Sequence, residues 1–183
     1  MLPLRIGVVG CGFIATRSHV PDAKVSPLLE PVALADLLPE RAQALGSRFE
    51  IKAQYADEDK LLNDPNVEAV VLALPAGLRT PVALKALAKG KHVLLEKPVA
   101  MNLAEVDSII AAQGDRVVAC CSSRFGFTPT YGAAAEHVAG GTLGRLREIR
   151  CRAILSADKV PVTPPPPWRQ NRAQNGGGIL VNW

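Results

Sequence analysis

The chain has 183 residues and a mass of 19.4 kDa, with 48% hydrophobic, 21% charged and 4% aromatic residues and a mean hydropathy of +0.14. That is enough apolar chain for one large domain, or one domain plus part of a second, and it excludes disorder for most of the length. The 21 basic and 17 acidic residues leave a net charge of +4 and a sequence pI near 9.0, scattered along the chain without the basic block that nucleic-acid binding needs.

Leu4 to Val9 is an Ile- and Val-rich run that ends at Gly10, the pattern of a strand buried on both faces of a parallel sheet. It reaches a glycine turn at once, so it reads as a first strand and not as a signal peptide. Similar runs follow at Pro31 to Ala35, Val67 to Leu74, His92 to Leu95 and Val117 to Cys121. Between them lie helix signals. Pro39 suits a first helical position, with Ala42, Leu45 and Phe49 on one face. Thr80 and Pro81 read as a cap and first turn, and Gly90 as the stop. Asn102 and Glu105 form a capping pair ahead of a stripe of Leu103, Val106, Ile109 and Ile110. Alternating strand and helix predicts an α/β fold with a doubly wound parallel sheet, and no apolar run approaches the ~20 residues of a membrane helix.

Past Ser122 the pattern changes. Gly140, Gly141 and Gly144 punctuate, and Arg147 to Leu155 alternates polar and apolar residues like an antiparallel strand that opens a second domain. Pro164 to Pro167 reads as a stiff connector, unfit for helix or central strand. Gly176 to Gly178 then lead into apolar Ile179, Leu180 and Val181. The expectation is a first domain over residues 1–121 and the incomplete start of a second over 122–183. Cys11, Cys120, Cys121 and Cys151 show no C-x-x-C spacing, which fits a reduced, cytoplasmic setting better than disulfides or zinc.

The local motif with the clearest chemistry is Gly10-Cys11-Gly12-Phe13-Ile14-Ala15, a G-x-G-x-x-A turn between predicted strand and helix. Gly10 allows the turn, Gly12 lets a pyrophosphate approach the backbone, and Ala15 lets helix pack on strand. Asp36 ends the next strand, 21 residues after Ala15, where a carboxylate can accept from both adenosine ribose hydroxyls and would repel a 2′-phosphate. Asp36 therefore favours NAD over NADP, while Arg41 keeps NADP open. The bland alternative is a glycine turn followed by a surface acid. Glu96-Lys97-Pro98 sits where the His92 to Leu95 strand ends, on the edge that borders the ligand crevice of an open α/β sheet. There a lysine can donate to a substrate oxygen, and Glu96 can bind a ribose hydroxyl or hold the ammonium, with Pro98 fixing the backbone through a trans or cis bond. Spacing alone favours the blander reading, a solvated, salt-linked pair at a strand end.

The succession of GCGFIA, ALAD, KALAKGKHVLLEKP, SRF at Ser123 to Phe125, LGRLREIR, and WR followed by GGGIL resembles the Gfo/Idh/MocA family of NAD(P)-dependent oxidoreductases, over essentially the whole chain. The resemblance implies that Gly10, Gly12, Phe13 and Ile14 hold the pyrophosphate, Asp36 and Arg41 the adenosine end, and Leu74 and Pro75 the nicotinamide ribose side. It makes Glu96 and Lys97 the ribose-binding and catalytic pair, and has Arg124, Trp168 and Arg169 face the cofactor. It further implies hydride transfer between nicotinamide and a carbinol or carbonyl carbon of a sugar, polyol or related small molecule. No nucleic acid or membrane partner is expected, and the second domain is expected to form a homo-oligomer interface.

Two departures from the family pattern affect chemistry. Ala76 to Thr80 replace the Asn and His that many members carry after the strand-ending proline, and Asn182 stands at the usual Asp position, with the chain ending before the usual His. Asn cannot carry a proton at neutral pH, so the proton relay has no assigned residue. The alternative function is a non-catalytic dinucleotide-binding sensor of the same fold. His19, His92 and His137 are expected to be surface or hydrogen-bonded residues and not metal ligands, and Cys11 a small buried residue and not a nucleophile.

Overall fold

A computed structural model describes residues 2–121, 127–150, 152 and 166–175. Contacts divide the chain into two units, Met1–Ser122 with Trp168–Trp183, and Ser123–Pro167. Among the described residues, Trp168–Asn175 group with the first unit.

The first unit is built on six parallel strands, β1 Leu4–Val9, β2 Leu29–Ala35, β3 Ala53–Tyr55, β4 Ala69–Leu72, β5 His92–Leu95 and β6 Val118–Cys120, in the order β3-β2-β1-β4-β5-β6. The order reverses direction between β1 and β4, which opens a crevice at the carboxyl ends of those two strands. Side chains alternate between two cores. Val9, Ala33, Ala35, Val70, Leu72, Val93 and Leu95 pack on one face, and Ile6, Val8, Leu34, Ala69 and Val71 on the other. Pro31 is accepted inside β2 because the ladder to β3 starts only at Ala33 and the β1 register shifts beside it.

Helices cover both faces. A π-helical turn, Ala15–His19, runs into α1 Val20–Val25, and both pack with α2 Pro39–Phe49 on the second core. As expected, Pro39 opens α2, and its Ala42 and Leu45 are buried with Phe49 packed beside them. On the first core lie α3 Glu58–Leu62, α4 Ala76–Ala88 and α5 Leu103–Ala112. The Asn102 carboxamide accepts from Glu105 N at 3.0 Å, the expected cap, and Gly90 takes the left-handed conformation after α4.

Several expectations fail for physical reasons. Helix α4 begins at Ala76, not at Thr80, and contains Pro81. Its first turn is fixed by Arg79, and Thr80 hydroxyl instead donates to Glu105 Oε2 at 2.7 Å, tying α4 to α5. In α5 only Ile109 is buried, while Leu103 is 81% and Ile110 62% exposed among the described residues. Residues 147–150 form no strand, and Ile149 is exposed; the remainder of that expected strand lies outside the described residues apart from Arg152. Pro167 opens a short helix, α7 Pro167–Gln170, because a first helical position needs no N–H from it. The second unit contains α6 Pro129–Ala139, none of whose residues is buried among those described. No helix among the described residues is long and apolar enough to cross a membrane.

Candidate active site

The three sequence motifs meet at the carboxyl edge of the sheet, after β1, β4 and β5. Gly10 follows β1 with φ +92° and lies so close to the chain after β4 that a Cβ on it would be 2.6 Å from the Ala73 carbonyl oxygen. Gly10 is therefore required by the approach of two strand ends. Gly12 is different, since a Cβ there meets nothing within 4 Å. The absence of a side chain at Gly12 has no cause in the fold, and the open space above it fits a bound pyrophosphate. The turn continues with Thr16 N donating to Gly12 O at 3.0 Å. Phe13 is exposed and Ile14 half-buried, with the Arg17 guanidinium 5.7 Å from the Phe13 ring centre.

Asp36 does more than the sequence implied. Its Oδ2 accepts from Cys11 N at 2.8 Å and its Oδ1 from Leu38 N at 2.9 Å, so the carboxylate braces the glycine turn and starts the approach to α2. Ionised carboxylate oxygens can each accept again, which leaves capacity for ribose hydroxyls. Arg41 is exposed on α2. Burial, followed by the Asp36 charge, pushes the Cys11 thiol up to about 12, consistent with an inert packing residue.

Leu74 and Pro75 link β4 to α4, and here the structure assigns a role that sequence reading missed. Arg79 is 3% exposed, and its Nε donates to Leu74 O at 3.1 Å while Nη1 donates to the carbonyls of Glu96 and Pro98. The buried guanidinium thus joins the chain after β4 to the Glu96-Lys97-Pro98 turn after β5. Burial lowers its pKa and the nearby Glu96 charge opposes that. The clue was available: Ala76, Arg79, Thr80, Val82, Ala83, Ala86 and Leu87 are the buried residues of α4, so Arg79 sits at a core-facing position by spacing alone.

Glu96 is half-buried, and its Oε1 lies 2.9 Å from His19 Nε2 while Oε2 accepts from Lys97 N at 3.0 Å. Burial pushes the Glu96 carboxyl up, but the His19 hydrogen bond and charge, the Lys97 N–H and Arg79 outweigh it, and the net shift is downward. Lys97 is exposed at the strand end, and the Lys97–Pro98 bond is cis. The expected hydrogen-bonded state of two histidines is present: His19 bonds Glu96, and His92 Nδ1 accepts from Val117 N at 2.9 Å. The His19–Glu96 pair, 77 residues apart, has no signature in the sequence.

Trp168 and Arg169 stand on α7, with the guanidinium 5.3 Å from the indole centre. The following α8 Arg172–Asn175 packs on α4, where a Cβ on Gly77 would be 2.5 Å from Ala173 O. Asn175 is buried, and its Nδ2 donates to Arg169 O at 3.1 Å. The Trp168-Arg169 segment is thereby anchored beside the start of α4. Arg124 and Asn182 lie outside the described residues.

Comparison with known proteins decides the family. The model for the oxidoreductase family with an NAD-binding Rossmann fold, GFO_IDH_MocA, matches residues 4–122. The chain belongs to the Gfo/Idh/MocA family. Among curated relatives of this family member, the dTDP-3,4-didehydro-2,6-dideoxy-alpha-D-glucose 3-reductase of Streptomyces violaceoruber is 33% identical over 98% of this chain and 51% of its own length. The trans-1,2-dihydrobenzene-1,2-diol dehydrogenase of Mus musculus is 33% identical over 98% of this chain and 53% of its own. Among solved structures, a mutant 3-ketoreductase from Actinomadura kijaniata in complex with TDP-benzene and NADP aligns with a TM-score of 0.81 at 28% identity, covering 98% of this chain and 54% of that one. The Lactobacillus casei myo-inositol dehydrogenase with NAD(H) and myo-inositol aligns with a TM-score of 0.72 at 28% identity, over 78% of this chain and 43% of that one. The chain spans about half the length of the curated relatives it matches.

Proposed function

We propose that this chain binds NAD and that the whole protein transfers hydride between nicotinamide and a carbinol or carbonyl carbon of a small hydroxylated compound of the sugar or polyol type. The observation that carries this reading is the convergence of the Gly10–Gly12 turn, Leu74–Pro75 and Glu96–Lys97 at the carboxyl ends of three adjacent parallel strands. The residues fit the dinucleotide, since Gly12 leaves space over the turn and Asp36 stands at the end of β2 with acceptor capacity to spare. Gly10, Gly12, Phe13 and Ile14 would hold the pyrophosphate, Asp36 and Arg41 the adenosine end, and Leu74, Pro75 and Glu96 the nicotinamide ribose. Trp168 and Arg169 would border the cofactor. When bound, NAD supplies the hydride acceptor or donor.

The chain's own part in the reaction is positioning and charge. Arg79 fixes the turn that carries Glu96 and Lys97, and Glu96 is oriented by His19 and Lys97 N. The Lys97 ammonium would donate to the substrate oxygen and stabilise charge there as the carbon changes oxidation state. Relatives that act on a dTDP-sugar, a diol and an inositol support the substrate class. The family resemblance also supports a homo-oligomer formed through the second domain. Cys11, Cys120 and Cys121 are free thiols, consistent with a reducing, cytoplasmic setting.

Lys97→Met tests the assignment. With a panel of inositols, aldoses and sugar acids, turnover should fall by about 10² to 10⁴ in the whole protein, with NADH binding and melting temperature little changed. Turnover that survives the substitution would remove Lys97 from the chemistry. NADH binding without turnover on any panel member would favour the non-catalytic sensor.

A further inference from the structure

His19, Glu96 and Cys121 form a cluster in which the dinucleotide reading uses Glu96, with His19 as its hydrogen-bond partner, and gives Cys121 no role. His19 Nε2, a Glu96 carboxylate oxygen and Cys121 Sγ all lie within 4.8 Å of one another, in half-buried positions. They come from three separate elements, the π-helical turn, the chain after β5 and the chain after β6. Two of the three backbones are held by extensions of the sheet ladder, with Glu96 N donating to Leu72 O at 3.3 Å and Cys121 N to Leu95 O at 2.8 Å. One ring nitrogen, one carboxylate and one thiol make a donor set suited to zinc and similar borderline ions, and unlike the all-oxygen sets of magnesium or calcium.

The spacing agrees with the chemistry. Metal–ligand bonds of about 2.0 to 2.3 Å in a tetrahedron place ligand atoms roughly 3.3 to 3.7 Å apart. The 2.9 Å His19–Glu96 separation and the 4.8 Å limit of the cluster bracket that range, so side-chain rotations suffice to reach it. The other Glu96 oxygen already accepts from Lys97 N at 3.0 Å, the kind of outer hydrogen bond that orients a ligating carboxylate. His19 and Glu96 side chains each keep 13% of their exposure, which leaves an approach for solvent as a fourth ligand.

We propose that His19, Glu96 and Cys121 bind a thiophilic divalent cation of the zinc type, through three protein ligands with one open position. On binding, the Cys121 thiol releases its proton to solvent and ligates as thiolate, and the proton that His19 Nε2 donates to Glu96 leaves Nε2 through solvent exchange, the imidazole becoming the Nδ1–H tautomer; the freed Nε2 lone pair and the freed Glu96 oxygen then both bind the ion. Two anionic ligands balance the two charges of the ion. The buried Arg79 guanidinium, close enough to act on both Glu96 and Cys121, opposes a cation and holds the affinity below that of a closed structural site. The site shares Glu96 with the proposed function but does not rest on it.

Cobalt(II) added to the full chain is the probe, because thiolate ligation gives a near-ultraviolet charge-transfer band and tetrahedral geometry gives intense visible bands. Both should appear and be reversed by zinc. Cys121→Ser should abolish the charge-transfer band, His19→Gln should weaken cobalt binding at least about tenfold, and Cys120→Ser should leave both unchanged. Circular dichroism of each variant confirms folding; if Cys121→Ser is unfolded, His19→Gln carries the test. Absence of the bands in the parent protein, their persistence in folded Cys121→Ser, or undiminished binding in His19→Gln would overturn the proposal.

Discussion

Gly10 and Gly12 belong to one motif, yet only Gly10 is required by folding, and that difference separates structure from ligand binding. An alanine at Gly10 would keep φ at +92° and place its Cβ 2.6 Å from the Ala73 carbonyl oxygen, a backbone atom at the end of β4. A left-handed conformation costs a non-glycine residue about 1 to 2 kcal/mol, and forced overpacking about 1 to 3 more. Gly10→Ala should therefore destabilise by about 2 to 5 kcal/mol, lowering Tm by roughly 5 to 15 °C for a domain of this size. Gly12 lacks the positive φ, and a Cβ there meets nothing within 4 Å. Gly12→Ala should leave stability unchanged or raise it by about 0.4 to 1 kcal/mol through a less flexible unfolded chain.

Dinucleotide binding should respond the other way. A methyl group over the turn stands where a pyrophosphate would contact backbone, so NADH affinity should fall at least about tenfold, or ~1.4 kcal/mol. Thermal melts followed by circular dichroism, with NADH fluorescence titrations on the same samples, read both quantities. Unchanged NADH affinity in folded Gly12→Ala would refute the assignment of the pyrophosphate to this turn. Parent-like stability of Gly10→Ala would refute the steric account of Gly10.

Asp36→Asn should weaken NAD binding more than NADP binding in parallel titrations, and an unaltered protein that prefers NADP would shift the role to Arg41. Glu50, at the end of α2, holds φ at 57°, so Glu50→Gly should raise stability in urea melts by about 0.5 to 1 kcal/mol; a loss of stability would contradict the strain. Burial pushes Cys11 up to about 12 and Cys121 up to about 11, so at about pH 8 fewer than roughly one in a thousand of either is thiolate. Raised pKa values mean that alkylation grows as pH rises, with Cys121 labelled before Cys11 in mass spectra; rapid labelling of Cys11 near neutrality would count against the burial.

What could be read from the sequence was local. β1 and β5 fall on the expected residues because each is a short, mostly apolar run, broken only by Arg5 in β1 and opened by His92 in β5, and closed by a turn or a charged residue. β3, a three-residue edge strand, and the five-residue α3 that follows are too short for their periodicity to stand out. At Thr80-Pro81 a correct local signal lost to tertiary structure, because capture of three carbonyls by Arg79 starts α4 one turn earlier. Leu103 and Ile110 fit a helical stripe and remain exposed among the described residues, since apolar periodicity defines a face without supplying what covers it.

The site follows the same division, with one further consequence. Gly10, Asp36 and Arg79 all border the crevice, and each already has a complete reason to exist in the fold: a close strand approach, two backbone hydrogen bonds, and a cross-link between two strand ends. Their loss would disturb function whether or not they touch a ligand. Gly12 has no such reason, and neither does the Cys121 thiol beside the hydrogen-bonded His19–Glu96 pair, where an apolar side chain would have served packing as well. Variants at the first group measure scaffold and site together. Variants at Gly12 and Cys121 report on ligands, provided that folding is checked alongside, and so they decide between the readings.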